Sequence, residues 1–266
     1  MTDKRPDYKN WIPKGMIWGF GAASAALASA AAVTALPAVK MDRKVKAAAT
    51  AALALGSAGC AAWTAWCAYA YGQFSYDGER QLSRQIIEGT ADFVQVPEGG
   101  TCLDVGCGSG ALAIAVAKRN PGASVVGVDK WGPEYASFSQ AVCEDNARAE
   151  GVTNVSFHSD NACRLDSPDE SFDAVTSNYV YHNIAGVNKQ LLLKETLRVL
   201  KKGGTFAIHD LMGKARYGDM ESFVRQLKDE GYEDVRLIPT ADGMFMTKQE
   251  GRRMFLADSC LLVGKK

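Results

Sequence analysis

The sequence predicts an α/β protein in which a helical transmembrane hairpin precedes a doubly wound, mostly parallel seven-stranded sheet. Two observations lead to this class. From residue 101 onward, short apolar runs of strand length alternate with amphipathic helical patterns, which is typical of a sheet covered by helices on both faces. Before residue 75, two runs of 24 and 28 residues contain no charged side chain. Each run exceeds the ~20 residues that a helix needs to cross a bilayer.

The predicted hairpin has helices at about 16–39 and 47–74, joined by a loop at 40–46 that carries four basic residues. Aromatic side chains gather at the start of the first helix and at the end of the second, and these ends meet in an antiparallel hairpin. Tyrosine and tryptophan favour membrane interfaces, so this pattern predicts an aromatic belt on one side. We therefore expect an N-terminal tail and membrane hairpin at 1–74, a linker or cover helix at 75–96, and an α/β domain at 97–266.

Two features of the hairpin argue against a membrane span. Ten of the 24 residues in the first run are alanine, which is only marginally hydrophobic. The basic loop also conflicts with the positive-inside rule if the α/β domain lies in the cytosol. A hairpin that dips into one leaflet or lies on the surface, and a soluble alanine-rich helical pair, therefore remain as alternatives. We expect the protein at the cytoplasmic membrane, with the α/β domain on the cytosolic face.

The α/β domain contains seven short apolar runs that are bounded by turn residues. These runs predict strands at 101–105, 124–128, 154–158, 171–178, 205–209, 234–238 and 255–263. Amphipathic or alanine-rich segments predict helices at 111–118, 133–150, 191–200 and 217–230. We expect the last two strands to pair antiparallel.

A glycine turn follows the first predicted strand. Residues 101–110 read Thr-Cys-Leu-Asp-Val-Gly-Cys-Gly-Ser-Gly, and an alanine-rich helix comes next. Such a turn lets a ligand lie close against the backbone at a helix N-terminus. The spacing of Gly106, Gly108 and Gly110, with Cys107 inside the turn, differs from the G-x-G-x-x-G of dinucleotide sites. Asp104 would repel a pyrophosphate, but its carboxylate suits a ligand that carries an ammonium group.

The motif D-x-G-x-G-x-G resembles the first motif of class I S-adenosylmethionine-dependent methyltransferases of the small-molecule type. The resemblance covers residues 80–266 and implies S-adenosylmethionine as cofactor. It also implies the strand order 3-2-1-4-5-7-6, with the last strand antiparallel. The acid that ends the second strand would hold the ribose hydroxyls, and the acidic turn after the third strand would contact the adenine. The cofactor-binding residues implied beyond the glycine turn are Asp129, Lys130, Asp160, Asn161, Ala162 and Asn178.

Catalytic candidates lie beyond the carboxyl ends of the fourth and fifth strands, where an open sheet forms its crevice. Methyl transfer from a sulfonium depends mainly on positioning, and a base is needed only when the acceptor loses a proton. We select Tyr179 and His182 after the fourth strand, and His209 and Asp210 after the fifth. Each also has a structural interpretation as a cap, a hydrogen-bonded strand end or a packing aromatic.

The composition of the chain gives no support for a nucleic-acid partner or a metal site. The 30 basic and 30 acidic residues cancel, which gives no support for nucleic acid as a partner. The seven cysteines form no C-x-x-C pair, so we predict no metal site and favour a reduced, cytosolic domain.

The expected acceptor is a small, lipophilic molecule reached from the lipid bilayer. A membrane-tethered NAD(P)-dependent oxidoreductase and a non-catalytic S-adenosylmethionine-binding scaffold are the alternative functions.

Overall fold

The computed structural model describes residues 5–132 and 137–266, which form two compact units. One unit consists of the residues up to Lys9 together with Arg84–Lys266, and the other consists of Asn10–Ser83. The first residues of the described chain therefore belong to the α/β unit. The expected division had placed all of residues 1–74 in one segment.

A seven-stranded sheet organises the larger unit, with the order β3-β2-β1-β4-β5-β7-β6. The predicted fold class and strand order are confirmed. β7 pairs antiparallel with β5 and with β6, and the other neighbouring pairs are parallel. The strands are β1 (Thr101–Val105), β2 (Ser124–Asp129), β3 (Val155–Ser159), β4 (Phe172–Asn178), β5 (Leu200–Leu211), β6 (Glu233–Pro239) and β7 (Ser259–Lys265).

The topology brings the carboxyl ends of all strands except β7 to one edge of the sheet. β1 pairs with β2 on one side and with β4 on the other, so the chain order reverses beside β1. Open α/β sheets bind ligands at such a switch point. β5 continues the row, because Asn178 at the end of β4 pairs with His209.

Helices flank the sheet and connect its strands. They are α3 (Leu82–Ala91), α4 (Ala111–Arg119), α5 (Gln140–Ala149), α6 (Lys189–Arg198), α7 (Lys214–Tyr217), α8 (Met220–Asp229) and α9 (Lys248–Arg253). α4 begins directly after the glycine turn, and its first seven residues are buried. The helix predicted at 133–150 is described only from Gln140, because residues 133–136 lie outside the described chain. Ser139 caps it by accepting from the Val142 N–H.

The smaller unit is built from two long helices, α1 (Lys14–Ala35) and α2 (Arg43–Phe74). α1 ends earlier than predicted because Pro37 follows: a residue that precedes proline is disfavoured in a helix, and Leu36 has an extended ψ of 141°. α2 begins at Arg43, where the Asp42 side chain accepts from the N–H groups of Lys44 and Val45.

Polar and aromatic contacts join α1 to α2. The hydroxyls of Ser24 and Ser57 each donate to the carbonyl of the other residue at 2.9 Å. The ring of Trp63 lies 4.7 Å from that of Trp66 and 6.1 Å from that of Phe20. Both helices are long and apolar enough to cross a bilayer, and almost no residue of their most apolar stretches is buried.

Candidate active site

The glycine turn between β1 and α4 is shaped by three positive φ angles. Gly106, Gly108 and Gly110 have φ of 73°, 56° and 82°, a region that side chains disfavour. A Cβ at Gly110 would lie 2.9 Å from the Phe157 ring, and one at Gly106 would lie 2.3 Å from a methyl of Val180. A Cβ at Gly108 would meet nothing within 4 Å. The middle glycine therefore faces open space, where a ligand has room to approach the backbone.

Asp104 is the penultimate residue of β1, just before this turn, and is 1% exposed. Its Oδ1 accepts from the Thr176 hydroxyl at 2.8 Å. Its Oδ2 is the one buried side-chain oxygen or nitrogen without a hydrogen-bond partner in the described chain. Burial raises the pKa of Asp104 to about 7, against hydrogen bonds from the Thr176 hydroxyl and the Ala113 backbone. A buried carboxyl with an unused acceptor suits a cationic ligand group, which would stabilise its ionised form.

Asp129 ends β2 and is tied to the same turn. Its Oδ2 accepts from the Gly108 N–H and its Oδ1 accepts from the Trp131 N–H, each at 2.9 Å. The Trp131 indole N–H in turn donates to the Gly108 carbonyl at 2.9 Å, and Trp131 has a positive φ of 42°. Lys130 between them is exposed. The structure thus brings the predicted ribose acid against the middle glycine.

The acidic turn after β3 lies beside Asp129. The Asp160 N–H donates to the Asp129 carbonyl at 3.1 Å, and Asp160 Oδ1 accepts from the Asn161 N–H at 2.7 Å. Asn161 is exposed and Ala162 is half-buried. The predicted adenine-contacting turn and the predicted ribose acid therefore occupy adjacent strand ends.

The N-terminal tail packs on the glycine turn, which the sequence did not predict. Tyr8 is 6% exposed, and its carbonyl accepts from the Ser109 hydroxyl at 2.7 Å. The Asp7 N–H donates to Asn146 Oδ1 at 2.7 Å. The Asn146 side-chain N–H group donates to the carbonyls of Asp7 and Ser109, at 3.1 and 2.9 Å. No local pattern signals these contacts, since the partners lie more than 100 residues apart.

His182 and Asp210 form a hydrogen-bonded pair at the other side of the crevice. His182 Nδ1 lies 2.5 Å from Asp210 Oδ1, with the His182 side chain 18% exposed and that of Asp210 fully buried. No described residue bonds the other ring nitrogen, Nε2. Burial opposes the charge of Asp210, but hydrogen bonds from His182 and Tyr217 outweigh it and lower the pKa of the carboxyl. The pair therefore combines a fixed carboxylate with a partly exposed imidazole.

His209 occupies a different environment from His182. It is fully buried, its Nδ1 bonds Asn178 Oδ1, and its Nε2 bonds the Thr240 hydroxyl, both at 2.8 Å. Burial lowers the pKa of His209 to about 3, so the imidazole is neutral at physiological pH. Both ring nitrogens are occupied by the protein itself.

Tyr179 packs against His209, with ring centroids 4.6 Å apart. Its hydroxyl bonds the Ser259 hydroxyl at 2.7 Å, and burial raises the pKa of the phenol. Its φ of 54° is unusual for a tyrosine. Tyr179, His209 and Asn178 therefore form one hydrogen-bonded and stacked cluster at the ends of β4 and β5, whereas His182 and Asp210 form a separate pair.

Val180 links the two sides of the crevice, because its side chain packs against Gly106 in the glycine turn. Val180 directly precedes the single turn of 3₁₀ helix, Tyr181–Asn183, that carries His182. No group of three or more His, Cys, Asp or Glu side chains suited to a metal ion occurs within 5–132 and 137–266.

The family model described as "Methyltransferase domain" matches residues 97–255, which is more than half of the chain. This chain belongs to that family. The match covers the glycine turn and both sides of the crevice, and it agrees with the observed strand order. The resemblance to class I methyltransferases is confirmed.

A curated relative with similar sequence is the demethylmenaquinone methyltransferase of Thermus thermophilus. It is 38% identical over 106 residues, which are 40% of this chain and 44% of that protein. The aligned segment thus spans less than half of the relative.

Solved structures share the fold at low sequence identity. Geranyl diphosphate C-methyltransferase from Streptomyces coelicolor A3(2) has a TM-score of 0.54 and 17% identity, covering 73% of this chain and 83% of that chain. The [4+2]-cyclase SpnF also has a TM-score of 0.54, at 19% identity, and covers 72% and 85%. Since one of these neighbours is named a cyclase, the fold alone does not determine the reaction.

Proposed function

We propose that this protein transfers a methyl group from S-adenosylmethionine to a small acceptor. The observation that carries the proposal is the buried Asp104 carboxyl with its unused Oδ2, next to the open space over Gly108. An ammonium group would satisfy that oxygen, and the cofactor carries one on its methionine part. Family membership supports the same cofactor.

Each cofactor-binding residue has a role that its chemistry supports. Asp104 would accept from the ammonium group, and the backbone of Gly108 would lie against the ligand. Asp129 would accept from the ribose hydroxyls, because each of its oxygens keeps a lone pair beyond its bond to the backbone. The turn that begins at Asp160 would line the adenine, and its position beside Asp129 suits a nucleoside that spans both.

His182 is the proposed general base. When bound, S-adenosylmethionine supplies an electrophilic methyl group on a sulfonium. His182 Nε2 would take the proton that a hydroxyl, thiol, amine or activated carbon of the acceptor loses. Asp210 would hold the imidazole through Nδ1 and stabilise the imidazolium, as a carboxylate does in other histidine pairs. His209 and Tyr179 would support the crevice wall, because their polar atoms are bonded to protein groups.

We further propose a lipophilic acceptor and a membrane anchor. The names of two similar proteins, a demethylmenaquinone and a geranyl diphosphate methyltransferase, support small acceptors with isoprenoid character. The exposure of α1 and α2 supports membrane contact, since the core helix of a soluble protein would be mostly buried. Residues before and after the hairpin belong to one compact unit. Both ends of the hairpin therefore return to the same side, proposed to be the cytosolic face of the membrane.

Calorimetry on detergent-purified protein tests the cofactor. We expect binding of S-adenosylmethionine and S-adenosylhomocysteine but not of NADH. Asp129→Ala should weaken binding by about 1.5–3 kcal/mol, the scale of hydrogen bonds to a charged group. Asp229→Ala, at an exposed position on α8, is the matched control and should leave affinity unchanged. Binding of NADH alone would support the oxidoreductase instead.

Methyl transfer itself needs a product assay. A screen with methyl-labelled cofactor should compare membrane lipid extracts with water-soluble metabolites, and mass spectrometry should identify any product. We expect label in the lipid fraction, and strong loss of turnover in His182→Gln with near-normal turnover in His158→Gln, since His158 is exposed on β3. Cofactor binding without any transfer would favour the scaffold. Conversion without methyl incorporation would indicate another reaction.

The anchor is tested by fractionation after a carbonate wash, in which we expect the full chain to stay with the membrane. A second variant should replace residues 14–74 by a short flexible linker and retain residues 5–9, which belong to the α/β unit. Such a linker is feasible because the Trp11 and Phe74 rings lie 5.2 Å apart at the hairpin base. Recovery of the full chain in the soluble fraction would contradict the anchor. Full activity of the linker variant on soluble acceptors alone would contradict the lipophilic acceptor.

A further inference from the structure

Asp210 is held by more donors than an orienting carboxylate requires. Oδ1 faces His182 Nδ1 and accepts from the Leu211 N–H at 2.7 Å. Oδ2 accepts from the N–H groups of Tyr181 and His182, at 2.8 and 3.2 Å. It also accepts from the Tyr217 hydroxyl at 2.8 Å. The backbone donors belong to the loop residues Tyr181 and His182 and to Leu211, the neighbour of Asp210. Apart from His182, the side chain that bonds this carboxylate is that of Tyr217, which lies on another element.

Tyr217 reaches Asp210 from a short, fixed turn. It ends α7 and is 2% exposed. The next residue, Gly218, has φ 73° and ψ −149°, a conformation open essentially only to glycine. The Tyr217 carbonyl accepts from the Gln190 side chain on α6 at 2.9 Å. The phenol is therefore delivered to Asp210 by a backbone that is held on both sides.

The hydroxyl of Tyr217 has one chemical role in this place. Burial and the Asp210 charge both raise the pKa of the phenol, so it stays protonated and acts as a donor. A buried hydroxyl costs free energy unless it is hydrogen-bonded, and phenylalanine would fill the same space. The Tyr217 hydroxyl is thus needed for its hydrogen bond to the Asp210 carboxylate and not to fill space in the core.

We propose that Tyr217 is a positioning residue that fixes the Asp210 carboxylate and thereby sets where His182 gains and loses its proton. The inference rests on the proposed function only in assigning His182 a catalytic role. Without the Tyr217 donor, more negative charge remains on the carboxylate, and the imidazolium of His182 is favoured. His182 would then lose its proton at a higher pH, and its ring would be less well oriented.

Three further ionisable groups that interact with Asp210 carry no charge at neutral pH. They are Tyr179, Tyr181 and His209. Burial raises the pKa of both tyrosines and lowers the pKa of His209 to about 3.

The chain offers a matched pair of tyrosines for the test. Tyr181 is as buried as Tyr217, but its hydroxyl bonds Thr196 at 2.5 Å and not Asp210. In the full-length protein, Tyr217→Phe should lower kcat/KM about tenfold and move the acid limb of its pH profile up by about half a unit, because one charge-assisted hydrogen bond is lost. Tyr181→Phe removes a hydroxyl from the same core and should leave that limb in place. Identical profiles for the two variants would overturn the inference.

A second readout does not depend on methyl transfer. The chain has three histidines, so the ring resonances of labelled histidine can be assigned with His182→Gln and followed through a pH titration by NMR. The midpoint of the His182 signal should rise in Tyr217→Phe and stay unchanged in Tyr181→Phe. An unchanged midpoint in Tyr217→Phe would contradict the inference. A shifted midpoint together with full turnover of His182→Gln would uphold it and reject His182 as the base.

Discussion

Gly106 and Val180 are in contact so close that a Cβ on the glycine would lie 2.3 Å from the valine Cγ2. Gly106 belongs to the turn that we assign to the cofactor, and Val180 precedes the loop that carries His182. A movement of one therefore displaces the other. We therefore expect a change at the glycine turn to be transmitted through this contact to the loop that carries the proposed base.

Two alanine substitutions in the glycine turn should separate crowding from ligand approach. Gly106→Ala adds both a strained φ and the clash with Val180, so we expect a loss of roughly 2–4 kcal/mol in stability. Gly108→Ala meets open space and should cost only about 1–2 kcal/mol from its positive φ. Thermal unfolding of the two variants measures this difference.

Gly108→Ala should weaken cofactor binding more than it lowers stability. The added methyl would project into the space that we assign to the ligand, so Gly108→Ala should bind S-adenosylhomocysteine far more weakly than its stability loss explains. Normal affinity in this variant would place the ligand elsewhere.

The affinity for S-adenosylhomocysteine should fall in mild acid. The pKa of Asp104 is about 7 in the free protein because of burial, and an ammonium ligand requires the ionised form. Between pH 7.5 and pH 6 the ionised fraction falls about eightfold, so Kd should rise by roughly the same factor. Calorimetry at these two values measures it. Asp104→Asn should bind weakly with little pH dependence, and an equally steep dependence in that variant would show that another group is responsible.

Asp104 and His209 should give the free protein opposing pH dependences of stability. Asp104 has a raised pKa, so it contributes stability in acid that is lost as the pH rises from about 4 to 7. His209 has a pKa lowered to about 3, so its contribution is present above about pH 6.5 and is lost as the pH falls toward 3. Each slope approaches about 1.4 kcal/mol per pH unit within its window.

Substitutions at Asp104 and at His209 should therefore change the pH dependence of stability in opposite directions. Relative to the wild type, Asp104→Asn should gain stability as the pH rises from 4 to 6.5, whereas His209→Gln should lose stability over the same range. Denaturant unfolding at several pH values provides the measurement. Parallel profiles in all three proteins would mean that neither group titrates as its burial implies.

The bond between Ser109 and Tyr8 should contribute to cofactor binding. Ser109→Ala removes a buried hydrogen bond that holds the tail on the glycine turn, and we expect a cost of about 1 kcal/mol, or roughly fivefold in Kd. Ser124→Ala, at an exposed position at the start of β2, is the control. Equal affinities in the two variants would show that the Ser109–Tyr8 bond does not contribute to cofactor binding.

Much of the fold follows from local patterns in the sequence. Apolar runs between turn residues predicted the seven strands, and the glycine turn indicated the candidate cofactor site. The errors lie where tertiary pairing overrides local preference. β5 begins at Leu200 rather than 205 and continues through Gly203 and Gly204, which locally predict a turn. β7 begins only at Ser259, because Phe255 has a positive φ of 58° and lies outside the strand.

The candidate site was less predictable than the fold. Strand ends indicated His182 and His209 equally, since burial and hydrogen-bond partners decide between them and neither is visible in the sequence. Tyr217, whose hydroxyl bonds Asp210, belongs to no motif that the sequence shows. The tail at 5–9 escaped prediction because its partners in the glycine turn and on α5 are distant in the chain.

The docking of the tail also has a consequence for how the chain is made. Tyr8 is synthesised well before its partners Ser109 and Glu150, which follow it by 101 and 142 residues. Contacts of such sequence separation form slowly, because a long loop must close first. The tail therefore has to wait beside the ribosome until α5 has emerged, while α1 and α2 are already complete. The residues that precede α1 therefore reach their native contacts only after the two helices that follow them have been made.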